Sequence, residues 1–404
     1  MALSYCWGST NPAVTTRHNL KERVKEIQFS GLPRTIHDAI TVTRRLGIRF
    51  LWVDALCIVQ DSVNGEGWVH ESSRMADIYG NAYLTIVAET ARNCAQGFLA
   101  RRPSATAAPH DMPYYLPNGT RCGSVKVCLV EEKLEPEYVA CRAWTFQERK
   151  LARRILSFNR RWTTFACHEG YTREDWGTYW VKTGSTEIDC APAPLIYKSL
   201  ENCFQKWNLS VRDYSRRHLT FERDKLPAFS GYAHSIQKHV GGNYLAGLWD
   251  CNLHSGLLWR PIYPGRKPSK PLAPSWSWAP LGGPVWYRDW MTTHDHPLTI
   301  IDCSVELSSN DPIGQVSGGF LLKCRGPLKE VAWRYCVTKN WNNLSKRPIQ
   351  LVLYEINELY KKILTRVEAL LVTFSFMVII CNLALLSTNS IILLSRVAPP
   401  SMVS

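Results

Sequence analysis

The chain lacks most of the short patterns that announce a chemistry. Its 14 cysteines include no C-x-x-C pair, so the close spacing that marks a structural zinc site is missing and no metal is expected. Cysteines such as Cys57, between Leu56 and Ile58, sit inside apolar runs and are expected to be buried thiols of a reducing compartment. There is no G-x-x-x-x-G-K-[ST] phosphate loop, no G-x-G-x-x-G turn and no G-x-S-x-G elbow. No Cys/His finger and no aromatic RNP-type strand is present, so no specific nucleic-acid partner is expected. The opening Met1-Ala2-Leu3-Ser4 has neither a basic stretch nor an apolar run behind it, which argues against a secretory leader and for a cytoplasmic setting.

Acidic residues are in short supply. Against 48 Lys and Arg stand 34 Asp and Glu, leaving +14 in 404 residues. Such a surface suits an acidic partner, or is simply solvated. What the chain has in quantity is tryptophan. Sixteen copies supply large apolar area, enough for a sizeable core.

Periodicity predicts an alternation of strands and helices. Residues 2–7 form a short strand at the very start, as expected of a chain trimmed at its N-terminus or given a mis-set start. A helix is expected over 34–46, with Thr35 and Asp38 in a capping-box pattern and Gly47 as its stop. Phe50 to Val53 comes next as a buried strand, with Asp54 at its carboxyl end. A second helix over 68–79 closes at Gly80, and Tyr83 to Ala88 is a second buried strand. Residues 101–119 are expected to be loop. A third helix over 143–154 leads into a strand at 155–158. This order implies an α/β domain with a mostly parallel sheet. Further on, a helix is expected over 224–239 and a linker over 264–274. Ser275-Trp276-Ser277-Trp278 alternates at period two, so it is expected to be a strand with both indoles on one face, near Trp286. Such a face is either core or a stacking platform for sugars or bases. Residues 369–395 carry no charge and are long enough to span a bilayer as a membrane anchor, with the main body cytoplasmic. A buried terminal helix and a mistranslated extension are the alternatives.

Three carboxylates stand out. On the third helix Glu148 shares a face with Trp144, Leu151 and Ile155, where a charge must be paired or functional. Arg142, Arg149, Arg153 and Arg154 are near enough in sequence to pair with it. On the second helix Glu71 shares a face with Trp68, Met75 and Ile78. Asp54 ends a central strand, where α/β folds gather binding residues. Asp54, Glu71 and Glu148 together would line an acidic pocket with Arg142 on its rim, and Trp7, Gly8 and Ser9 would shape one wall. Such a pocket suits a cationic ring beside phosphates, and a structural ion-pair network equally. His37 and His168 have no partner nearby in sequence. The basic stretch over 142–161 is either a phosphate groove or the solvated side of a helix.

Five stretches, in order, resemble the fungal heterokaryon-incompatibility (HET) domain family. They are Leu3-Ser4-Tyr5-Cys6-Trp7-Gly8; Leu32-Pro33-Arg34-Thr35-Ile36 with Asp38-Ala39-Ile40; Leu51 to Ile58 with Gln60-Asp61; Met75 with Ile78-Tyr79 and Asn81-Ala82; and Arg142 to Arg149. Asp213-Tyr214, Arg217, Leu219-Thr220, Asp224 to Ala228, Gly231, Tyr244 to Trp249 and Ala273 to Ala279 resemble the region that often trails that domain in fungal proteins. The resemblance implies a HET domain over 1–165, a mixed α+β region with Trp-rich strands over 166–335, and a tail over 336–404 that the family does not match. The family's lead-in before the first strand is also missing. The resemblance further implies a role in non-self recognition and programmed cell death, with an unknown protein partner or self-association as trigger. It implies a distant likeness to TIR domains, hence a flavodoxin-like plan. Some TIR domains cleave NAD through a glutamate, so NAD is a candidate substrate and Glu148 and Glu71 are candidate catalytic residues. Asp54, Trp7, Gly8 and Arg142 are candidate ligand contacts.

Overall fold

A three-residue strand can hold a sheet together when both its edges are paired, and β1 (Ala2–Ser4) is such a strand. In the computed structural model it pairs in parallel with Thr85–Val87 on one side. On the other side it takes a single parallel bridge from Ala2 to Trp52. There Trp52 N donates to Met1 O at 2.8 Å and Leu3 N to Trp52 O at 3.0 Å. The structure describes residues 1–9, 13–62, 66–100, 110–127, 138–160, 162–174, 181–182, 199–263, 272–287, 298–308, 311–326 and 390–394. The chain divides into two compact units, Met1–Ile196 and Tyr197–Ser404.

In the first unit the helices are α1 (Leu20–Lys25), α2 (Arg34–Arg45), α3 (Asp54–Cys57), α4 (Glu66–Asn81) and α5 (Thr145–Lys150). The strands after β1 are β2 (Thr85–Val87), β3 (His110–Tyr115), β4 (Arg121–Val127), β5 (Arg154–Phe158), β6 (Thr163–Cys167), β7 (Gly170–Arg173) and β8 (Val181–Lys182). The main sheet runs β1-β2-β5-β6-β7-β8. β1, β2 and β5 are parallel. From β5 onward the chain returns directly on itself, and β6, β7 and β8 add antiparallel. The fold is therefore mixed α/β. Its parallel part is the part the strand–helix alternation foresaw, and the sheet carries on past residue 165.

Both faces of the parallel strands are covered, as such strands require. Leu3 and Ile86 point to one face and pack with Ile36, Ala39 and Val42 of α2. Ala2 points to the other, against Met75 and Tyr79 of α4 with Trp52 and Trp144. Val87 and Ile155 continue that second face beside Cys6, Val139 and Ala152. Each fully buried Leu or Ile here stabilises the fold by about 2 kcal/mol.

Several local expectations are corrected. Thr35 and Asp38 do not form a capping box, because the N-cap of α2 is Pro33 and carries no side-chain bond. They clamp a loop instead. Thr35 Oγ1 donates to Asn93 O (3.1 Å) and accepts from Gly97 N (3.1 Å). Asp38 Oδ2 accepts from Phe98 N (2.7 Å) and Leu99 N (3.0 Å), while Arg34 holds its other oxygen at 3.1 Å. The stop after α2 is as expected, with Gly47 N bonding Arg44 O and Ile48 N bonding Thr43 O. Phe50 is 75% exposed rather than buried, because the pairing at this edge is the Trp52 bridge. Gly80 lies within α4, which runs on to Asn81. Part of the expected loop, 110–115, is β3, paired antiparallel with β4. The helix expected over 143–154 is only Thr145–Lys150. Thr145 Oγ1 bonds Val139 O and Arg142 O, fixing the turn before it, and β5 begins at Arg154. Cys57 is exposed, whereas Cys6, Cys94, Cys167, Cys203 and Cys324 are buried.

The second unit is built on α6 (Leu200–Ser215) and α7 (Pro227–Val240), the latter started by Pro227 in its first turn. After it come a hairpin of β9 (Tyr244–Leu245) and β10 (Leu248–Trp249), α8 (Leu253–Gly256), and the antiparallel pair β11 (Trp259–Pro261) and β12 (Val285–Tyr287). β13 (Thr299–Leu307), β14 (Val316–Gly326) and β15 (Ser390–Leu394) form a third sheet. The hairpin turn Ala246-Gly247 has φ of 49° and 98°, the positive pair that a tight two-residue turn needs.

Trp276 and Trp278 are not on a strand. They lie in consecutive turns, with Ser277 N bonded to Pro274 O, and both indoles are buried. Trp278 Nε1 donates to Gly247 O at 2.8 Å, and its ring meets Phe229 and Tyr214 edge-on. The two indoles are core. Most of the expected linker and residues 369–389 of the apolar segment lie outside the described residues. Residues 390–394 of that segment form β15, paired with β14. Among the described residues no helix is long and apolar enough to cross a membrane.

Candidate functional site

The carboxyl ends of the parallel strands bring together residues far apart in sequence. After β1 come Tyr5, Cys6 and Trp7, after the Trp52 bridge comes Asp54, and after β2 comes Glu89. The turn at 139–142 and α5 add Arg142, Glu148 and Arg149 to the same end.

Asp54 is half-buried and held on three sides. Its Oδ1 accepts from the Ala55 amide at 2.7 Å and its Oδ2 from Trp7 Nε1 at 2.9 Å, and the Tyr5 hydroxyl also bonds it. Burial raises its proton affinity above the usual carboxylate range, against the Arg142 guanidinium and these hydrogen bonds. Glu148 is 3% exposed. Burial pushes its carboxyl up to about 7, with Arg142 opposing and the Asp54 charge adding to the rise. The hydroxyls of Ser4 and Tyr79 face it. Tyr79 also donates to Leu3 O at 3.0 Å. Both hydroxyls favour the ionised form of Glu148, as Arg142 does, and so oppose the effect of burial.

Arg142 acts on both carboxylates and donates to Tyr5 O, which ties the guanidinium to the end of β1. The Cys6 thiol, pushed up to about 11 by burial, feels Arg142, Glu148 and Glu89 together. Arg149 clasps Glu89, which is 2% exposed and whose Oε2 has no hydrogen-bond partner among the described residues. Such a set can store and deliver one proton near neutral pH, and low local polarity strengthens each charge interaction within it.

The structure thus brings Asp54, Glu148, Arg142 and Trp7 together, as the sequence suggested. Glu71 lies on α4. It pairs with Arg74 at 3.6 Å, and its charge is felt at the Cys57 thiol together with that of Asp54. The side chain of Trp68, expected on its face, lies outside the described residues. Gly8, expected to admit a ligand, has φ +84°, and a Cβ there would stand 2.5 Å from Cβ of Asn93. Its bareness serves close packing of the turn.

Tyr5, Tyr79 and the Glu89–Arg149 pair were missed. A signal existed for each: a tyrosine on an apolar face must place its hydroxyl somewhere, and Glu89 comes after a core strand just as Asp54 does. His37 stacks on Phe29 and bonds its carbonyl, and His168 is exposed beside Glu169. The basic stretch over 142–161 is dispersed rather than gathered in one groove: Arg142 and Arg149 are engaged at the carboxyl end, and Arg154 lies over Tyr83. Among the described residues no group of His, Cys, Asp and Glu is placed to hold a metal.

The class so defined is an α/β domain with a carboxylate pair, Glu148 buried and Asp54 half-buried, at the carboxyl end of its parallel strands. Residues 1–148 match the family described as heterokaryon incompatibility protein (HET). The first part of the chain is therefore a HET domain, which ties it to heterokaryon incompatibility in fungi, and the matched stretch ends on Glu148 itself. No curated protein and no solved structure matches the chain.

Proposed function

We propose that this chain is an effector or regulator of non-self recognition whose HET domain drives programmed cell death through the Asp54–Glu148–Arg142 cluster. The observation that carries this reading is Glu148, buried yet poised near neutrality and coupled to Asp54 and Arg142 inside the matched domain. Carboxyl groups with raised proton affinity beside a charge partner concentrate at working sites. The proposed setting is the cytoplasm, with a protein partner or a second copy of the chain as trigger. The test is expression in a fungal host, scoring growth arrest for the parent, Glu148→Gln and Asp54→Asn. Arrest should be lost in both variants at unchanged protein level. Arrest at the parental rate in both would remove the cluster from the mechanism.

A second reading is NAD cleavage by the same cluster. It is favoured by position, since two carboxylates and the half-buried Trp7 indole lie where α/β sheets bind nucleotides. Here Glu148 would meet the positive charge that develops as the glycosidic bond breaks. Purified protein should consume NAD, and Glu148→Gln should not. Growth arrest without NAD loss would leave the effector reading and end this one.

A further inference from the structure

The opposite, amino end of the same strands carries a surface of different character. Phe50 is 75% exposed, Tyr83 62% and Leu46 50%. Arginines lie over both rings, Arg49 at 5.5 Å from the Phe50 centroid and Arg154 at 5.1 Å from that of Tyr83. Arg153 is exposed beside them. Phe50 precedes the Trp52 bridge and Tyr83 precedes β2, and these segments flank β1 on its two sides. The two residues therefore stand about two strand spacings apart, roughly 10 Å.

We infer that this amino edge is a docking surface for an acidic protein segment with an apolar anchor. Exposed aromatic residues ringed by arginine are the composition of interface centres rather than of ordinary surface. The charge is complementary to such a segment, because Arg49, Arg153 and Arg154 form a cationic rim in a chain of net +14. The spacing favours peptide over nucleic acid. Stacked bases step by roughly 3.4 Å, whereas about three residues of extended peptide cover the gap between the rings. The surface lies at the far end of the strands from Asp54 and Glu148. A bound partner therefore leaves that cluster uncovered, and docking here is independent of what the cluster does.

The test uses the full chain and two short synthetic peptides, one with a Trp-Leu centre flanked by glutamates and one with lysines in their place. Fluorescence anisotropy should show the acidic peptide binding, the lysine peptide not, and affinity falling as salt rises. The double variant Phe50→Ala/Tyr83→Ala should weaken binding by about tenfold or more, and Arg49→Glu/Arg154→Glu should abolish it. All four side chains are exposed, so an unchanged melting temperature in each variant assigns the loss to the surface. Equal binding of the two peptides, or full binding by Phe50→Ala/Tyr83→Ala, overturns the inference. So does single-stranded oligouridine that binds more tightly than the acidic peptide and is weakened by the same variants.

Discussion

At the scale of single residues, Glu148 links structure to a measurable pH dependence. Its carboxyl moves from the ordinary 4.5 in the unfolded chain to about 7 in the fold. The folded state therefore holds a proton that the unfolded state has released across that interval. The stability from this group is full below about pH 4.5 and is lost as pH rises through about 7, a difference of about 3 kcal/mol. Glu148→Gln removes the titration. Relative to that variant, the parent should lose stability between about pH 5 and pH 7.5 in urea unfolding. Parallel profiles for the two proteins would show that Glu148 titrates as in the unfolded chain. The sequence made this residue visible because its face is apolar, and it made Asp54 visible because a strand ends there. It could not say how near Glu71 comes to them. Helical spacing places a side chain on a face without saying how far along the helix the neighbouring strands reach, and Glu71 is two turns before Tyr79 on α4.

At the scale of elements, strand and helix periods were readable and side-chain assignments at their ends were not. Thr35 and Asp38 show why. Spacing fits a capping box, but the partners that win are amides about sixty residues away, which no local window contains. Asp38→Ala leaves the buried Phe98 amide and the part-buried Leu99 amide without an acceptor, and should cost about 2 kcal/mol in urea unfolding. A cost below about 1 kcal/mol would mean that loop 93–99 is held by packing alone. The Trp276–Trp278 alternation failed in the same way. Period two describes a strand only if a neighbouring strand pairs with it, and here the backbone turns while the indoles fill the core under the 246–247 hairpin turn. Gly247 is bare because the Trp278 ring is there, a Cβ standing 2.8 Å from Nε1 at a φ of +98°. Gly247→Ala should destabilise by about 2 kcal/mol and change the near-ultraviolet signal of the buried tryptophans. A variant with parental stability and spectrum would contradict the packing described for that turn.

At the scale of the whole molecule, the two units each possess a core of their own. In the first it is the two-sided packing on β1, β2 and β5, and in the second the aromatic set of Trp207, Tyr214, Phe229, Tyr232, Tyr244, Trp249 and Trp278. Family matching ends at residue 148, inside the first unit. After the last family motif β6, β7 and β8 extend the sheet antiparallel, within the same unit. Separate cores predict separate melting. A calorimetric scan of the full chain should show two transitions, with Glu148→Gln displacing one of them at pH 8 and Gly247→Ala the other. The displacements should be additive in the double variant, since the sites share no partner. One transition moved by both substitutions would show that the units fold as a single cooperative body, and the effect of a partner docking on the HET domain would then have to be sought in the stability of the entire chain.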